Sequence, residues 1–281
     1  MTLANSIEFP RELFFVQAAK RHPAVTLALL FAAGAVLVVG PRNQEMVRLA
    51  TLAGAAVSAV IIDVVFLRWP LPSRPFPVRN PGTETLVVAI LYLVAGASLL
   101  QRYEGSGSPS RILGIVSLIS IFPIALAGFL LIRGYRLGDF GIRWRGFRPV
   151  LPIMIGYGTL MALVIPLTVS WRQGYQEMGS VWKWIEYGVF VAALPEEFLR
   201  MVWQTRLGAW LHNRAVGWFL AALMWSALHG PLNGQGHTLA ETLFLVGRLI
   251  PVGLLWGYLT FRSQSILPSV LLHATRFVWG G

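Results

Sequence analysis

The 281-residue sequence contains no cysteine. That excludes disulfides, thiolate metal ligands and a cysteine nucleophile together. It is also short of charge: Asp, Glu, Lys and Arg make up 12% of the residues, about half the share usual in soluble domains. Acidic groups are the scarcer kind, 12 against 23 basic ones. Three signatures of intramembrane proteolysis are missing as well: HExxH of zinc enzymes, GxGD of aspartyl enzymes and GxSG of rhomboid-type serine enzymes. What fills the sequence is apolar. Hydrophobic residues reach 56% and mean hydropathy is +0.63, the composition of an integral membrane protein.

Nine apolar runs can be marked, at 23–40, 49–67, 85–100, 112–132, 150–170, 184–203, 216–229, 243–261 and 266–279. Several approach the ~20 residues that cross ~30 Å of hydrocarbon, where only helices or closed barrels satisfy the backbone. The expected fold is therefore all-α: a polytopic transmembrane helical bundle of about eight or nine spans. The run at 23–40 follows Lys20 and Arg21 and ends without a small-x-small cleavage site, so a retained anchor is expected. The preceding FPRELFFVQAAK suggests an interfacial helix. Most Lys and Arg fall in alternate segments between the apolar runs: Arg11, Lys20 and Arg21; Arg68, Arg74 and Arg79; Arg133, Arg136, Arg143, Arg145 and Arg148; Arg206 and Arg214; and Arg262. The positive-inside rule then places the N-terminus in the cytoplasm. Basic residues spread over loops in this way point to a membrane surface, not to nucleic acid. The basic, Gly- and aromatic-rich stretch RGYRLGDFGIRWRGFRP divides plain apolar helices, residues 1–132, from a second half, 133–281, that carries the polar intramembrane groups.

Those groups begin in LPEEFLRMVWQTRL, where Glu196, Glu197 and Arg200 interrupt an apolar segment. A charge at the bilayer centre costs about 2.5–3.5 kcal/mol on insertion scales, so each needs a partner or a water-filled cavity. Glu196 and Arg200 are four apart and can pair along one helix face, which would also serve as a structural lock. Glu197 is turned about 100° away and addresses another neighbour. His229 in MWSALHG and His273 in PSVLLHATRF are the candidates, each more often a packed core histidine when taken alone. Residue counts put Glu196, His229 and His273 at similar membrane depth. A carboxylate and two imidazoles can polarise a water and hold an oxyanion. Trp225, one turn before His229, would fix its ring. Asp63 suggests a helix-end residue reaching the interface or Arg68. His237 and Glu241, four apart, can form a metal pair or merely start a helix.

EEFLR with QTRL, WSALH and SILPSVLLHATRF, in this order, resemble the three motifs of the CPBP family, the type II CAAX prenyl proteases and bacteriocin-processing enzymes. The resemblance runs from about Leu137 to Phe277, including LGDFGIRW and GYLTFRSQSILPS. It implies an intramembrane glutamate-type endopeptidase in which Glu196, Glu197 and His229 activate a water and His273 helps hold the oxyanion, with Arg200, Trp225 and Phe277 in support. Two positions differ from the family pattern. The glutamates and arginine read EExxR where the family has EExxxR, and Phe277 stands where an Asn is usual. The implied substrate is a membrane-embedded or lipid-anchored protein or peptide. No cofactor is expected, although Glu196, His229 and His273 are a conceivable three-ligand zinc set. Two other classes remain: a catalytically impaired scaffold or immunity protein of the same family, and a small proton-coupled transporter. The chain shows no hydropathy repeat in favour of the transporter.

Overall fold

The structure, a computed structural model, describes residues 45–71, 74–100, 120–164, 181–233 and 238–278, with positions 21, 23, 27 and 116. The expected interfacial helix and nearly all of the run at 23–40 lie outside these residues. Every described element is helical. In order they are α1 (Glu45–Arg68), α2 (Pro81–Leu100), α3 (Phe122–Ile132), two 3-10 turns (Leu137–Phe140 and Trp144–Gly146), α4 (Phe147–Val164), a π-helical stretch (Trp184–Ala193) leading into α5 (Leu194–Trp210), α6 (Arg214–Asn233), α7 (Leu239–Ser263) and α8 (Leu267–Val278).

Several helices outrun the apolar segments that signalled them, because polar caps rather than hydropathy set their ends. Asn80 accepts from Thr83 N at 3.2 Å just before Pro81 opens α2. Thr238 and Glu241 form a reciprocal capping box at the start of α7, so Glu241 is a helix-start residue, while His237 lies outside the described residues. Among the described residues, α7 is the one helix long and apolar enough by itself to cross a membrane, with mean hydropathy 1.6; shorter apolar helices cover Pro81–Val94 and Phe122–Ile132. Large apolar side chains also point outward in helical stripes: Val57, Val60, Val64 and Leu67 on α1, and Leu86, Ile90 and Leu93 on α2.

At the centre is the α5–α6 hairpin, closed by the left-handed His212 and by Asn213, whose Oδ1 accepts from Val216 N at 3.1 Å. The two helices touch backbone to backbone. A Cβ on Gly217 would stand 2.3 Å from Gly208 N, so no side chain fits at that crossing. α7 then packs along α6, with Gly253 under the Trp225 ring and Gly257 against Trp218 and Gln204. Helix α1 covers α7, α2 covers α5, and α8 lies between α7 and the π stretch.

Two buried ionic groups tie the outer helices to this centre. Glu84 of α2 accepts from Arg206 Nε at 3.1 Å and from the Tyr135 hydroxyl at 2.6 Å. Asp63 of α1 is buried against Arg262 Nε at 3.2 Å and accepts from the Tyr258 hydroxyl. The expectation of an interfacial Asp63 paired with Arg68 is thus replaced by a core pairing, because α7 passes close enough to supply both partners. At the same end, the loops after α1 and α3 and the α7–α8 turn are laced together. Gly141 O accepts from Ile266 N at 2.9 Å, and Ser265 Oγ lies 2.7 Å from Arg143 O. Gly141 has φ +80°, and a Cβ there would meet Phe76 at 2.9 Å, so only glycine suits this junction. The LGDFGIRW segment therefore sets where α8 begins, and with it the position of His273.

Candidate active site

Each site residue is delivered by a different part of the central bundle. Glu196 and Glu197 stand in the first turn of α5, directly after Pro195 and the ten-residue π stretch. π-helical winding is rare and widens the turn, which changes the direction in which the following side chains leave the axis. His229 comes from the far end of α6, one turn after Trp225, and His273 from the middle of α8. Trp256, from α7, closes the floor and is fully buried.

Glu196 is the hub. Its Oε2 accepts a hydrogen bond from Trp225 Nε1 at 2.6 Å, and stands 4.0 Å from His229 Nε2 and 3.8 Å from His273 Nε2. Its side chain keeps 25% exposure and that of His229 14%, whereas His273 and Glu197 keep 2% and 1%. The site thus has an accessible side, Glu196 with His229, and a sealed side.

Ring hydrogen bonds fix the tautomers. His229 Nδ1 lies 3.0 Å from the carbonyl of Trp225, which can only accept, so Nδ1 carries the proton and Nε2 offers a lone pair toward Glu196. His273 Nδ1 lies 2.9 Å from Glu197 Oε1 and is likewise the donor. Its ring stacks on Trp256 with centroids 3.9 Å apart and planes 20° apart, which prevents it from swinging. Trp225 meets the His229 ring edge-on at 4.6 Å.

The sealed side is held by Arg200. Its Nη2 donates to Glu197 Oε1, its Nη1 lies 3.4 Å from Gly253 O, and its guanidinium sits 4.9 Å from the Trp225 ring and 5.2 Å from the Trp256 ring. The expected partner of Arg200 was Glu196; the structure gives it Glu197, three residues away instead of four. Neighbouring groups account for the exchange, since Trp225 draws the Glu196 carboxylate outward while Arg200 and His273 draw Glu197 inward. Despite the EExxR spacing, both carboxylates reach the site. The charges nearly balance. Two carboxylates face one guanidinium, and His273 is the ring that faces both, 2.9 Å from one and 3.8 Å from the other.

Ligands of a tetrahedral zinc stand about 3.3–3.4 Å apart at usual bond lengths, closer than the 3.8 and 4.0 Å here. Among the described residues, no group of three or more His, Cys, Asp or Glu side chains is placed to hold a metal ion. Phe277 lies in the last turn of α8, and its side chain is outside the described part.

Sequence reasoning singled out six of the residues gathered here. It missed Trp256 and Gly253, which sit in the apolar run of α7; the only local signal was the pair of glycines around the tryptophan in GLLWGY. Residues 178–276 match the family described as Type II CAAX prenyl endopeptidase Rce1-like. The matched segment runs from just before the π stretch to Arg276 and includes every residue of the cluster. No curated protein and no solved structure matches the chain.

Proposed function

We propose, from the premise that residues 178–276 belong to the type II CAAX prenyl endopeptidases of the CPBP family, that this protein is an intramembrane endopeptidase. In this reading it cleaves a membrane-associated substrate, a prenylated CAAX protein or a related lipid-anchored peptide. The observation that carries the reading is the Glu196 carboxylate between two imidazole Nε2 atoms, that of His229 at 4.0 Å on the accessible side and that of His273 at 3.8 Å on the sealed side.

A water about 2.8 Å from Glu196 Oε2 and from His229 Nε2 fits between atoms 4.0 Å apart. Glu196 takes one proton from it, His229 accepts the other O–H as a hydrogen bond, and the water oxygen attacks the scissile carbonyl carbon. The carbonyl oxygen becomes an oxyanion, which His273 Nε2–H stabilises as the imidazolium that Glu197 balances. The C–N bond breaks as Glu196 returns its proton to the leaving amine. Glu197 and Arg200 never touch the substrate in this scheme; they orient and charge His273.

A multi-pass membrane protein with the N-terminus in the cytoplasm is part of the same reading. Outward apolar stripes on α1 and α2 support it, because contiguous apolar surface of this kind needs lipid. So does the meeting at one end of the three Arg-bearing loops around Arg74, Arg143 and Arg262, as strict alternation of spans requires. Residues 133–281 form the catalytic core in this scheme, and residues 1–132 brace it.

The test is cleavage of a farnesylated CAAX-terminal peptide reporter by the purified protein in lipid nanodiscs. Glu196→Gln and His229→Ala are expected to lower turnover by about 10²–10⁴-fold while melting as the parent does. Uncatalysed levels of cleavage by the wild type, across prenylated and unprenylated reporters alike, would instead favour a non-catalytic scaffold of the same family, the reading that the EExxR spacing and Phe277 support.

A further inference from the structure

At the basic end, and sharing no residue with the Glu196–His229–His273 cluster, a cavity of about 180 Å³ opens between the loop after α1, the two 3-10 turns and the α7–α8 turn. Its lining includes three arginines, Arg74, Arg143 and Arg145, together with Trp144 and Gln264. Arg143 is the built part. It keeps 9% exposure, Nε donates to Gly138 O at 2.8 Å, and Nη1 donates to the carbonyls of Arg74 and Gln264. These bonds fix the plane of the guanidinium and leave Nη2 uncommitted among the described residues. Arg74 and Arg145 are exposed, and the Arg74 guanidinium lies over Gly138. Asp139, whose carboxylate accepts from Arg136 N at 2.9 Å, is the acid that bears on Arg143. Burial first, and the like charge of Arg74 second, hold the Arg143 pKa below its ordinary value.

Three arginines lining one small cavity, with one nearby carboxylate, make a receptor for an anion such as phosphate, toward which Arg143 can offer Nη2. The surroundings identify where that phosphate comes from. Trp144 is 72% exposed, with Leu137, Ile142 and Phe147 also exposed beside it, and exposed Arg145 and Arg148 lie alternately among them. A Trp- and Arg-rich rim with outward aliphatic residues is the composition of the membrane–water interface. We propose that this cavity binds the phosphate headgroup of an anionic phospholipid in the cytoplasmic leaflet. Its occupant would brace the α7–α8 turn, since Ser263 and Gln264 form one wall and Gln264 holds the left-handed conformation (φ 53°) from which α8 departs.

The test reads thermal stability, so it does not depend on the protease reading. The full-length protein is melted in nanodiscs of phosphatidylcholine alone and of phosphatidylcholine with phosphatidylglycerol. The anionic lipid is expected to raise the melting temperature by about 3 °C or more. Arg74→Gln with Arg145→Gln, both at exposed positions, should remove most of that rise, while Lys183→Gln, on the segment before the π stretch, should keep it. An equal rise in the double variant, or none in the wild type, would overturn the site. Inorganic phosphate in neutral nanodiscs is the third arm: full stabilisation by it alone would overturn the lipid as the source in favour of a soluble phosphate.

Discussion

Arg200 is the residue whose removal tests the site's electrostatics most directly. Arg200 and Glu197 each keep 1% side-chain exposure, and the guanidinium is flanked by Trp225 and Trp256, so neither charge can be rescued by solvent. Removing one partner of such a pair costs about 3–5 kcal/mol, because the other is left charged in an apolar interior. Arg200→Met keeps the aliphatic volume and deletes the charge with its contacts to Glu197 and Gly253 O. Since His273 still faces Glu197 at 2.9 Å, the lower figure applies: about 3 kcal/mol, or roughly a 150-fold fall in the folded-to-unfolded ratio. Denaturant unfolding in mixed micelles, followed by tryptophan fluorescence, measures it. The double variant Glu197→Gln with Arg200→Met contains no orphaned charge and should regain most of the loss. It should not regain activity, because His273 then lacks the carboxylate that holds it as a donor. A cost under about 1 kcal/mol for Arg200→Met, or a double variant as unstable as the single, would refute the buried-pair account.

Three further outcomes follow from the geometry. Glu196→Gln removes the base and should lower the rate of peptide cleavage by about 10²–10⁴-fold with little change in melting temperature, since the Glu196 side chain is a quarter exposed. Phe277→Asn supplies a second oxyanion donor if α8 turns that side chain toward the carbonyl; a rate gain of up to about 10²-fold is expected in the same assay, and an unchanged rate removes the role assigned to this position. Gly253→Ala places a Cβ 2.9 Å from Trp225 Cε3, so the ring must shift and its hydrogen bond to Glu196 must lengthen. A stability loss of about 1–3 kcal/mol together with reduced turnover is expected, read by melting and cleavage on one preparation.

That Glu196, Glu197, His229 and His273 would meet was largely legible in the sequence, because ionisable groups in apolar helices need partners. What stayed hidden depends on contacts between distant segments. No local pattern joins Glu84 to Arg206, 122 positions along, or Asp63 to Arg262; Asp63 reads as a helix-end charge, Arg206 and Arg262 as loop charges, and nothing in the sequence marks Glu84. The π stretch was hidden for a different reason. Periodicity distinguishes α from β, yet ten residues of wider winding inside an apolar run leave the pattern almost unchanged. The one-residue departure at EExxR did register as an irregularity. The π stretch ends just upstream of Pro195, immediately before the glutamate pair.

The glycine contact at the α5–α6 crossing has a mechanical meaning. Glu196 and His229 each stand twelve residues from their own helix's crossing glycine, Gly208 and Gly217, on the two arms of one hairpin. At 1.5 Å per residue those arms are about 18 Å long, so a splay of only about 3° at the fulcrum moves the tips apart by about 1 Å. The gap between carboxylate and imidazole is thus set as a pair of tongs sets its jaws, by the tightness of the pivot. A protein built this way can lose its chemistry through a methyl group placed at the far end of the tool, with both jaws untouched.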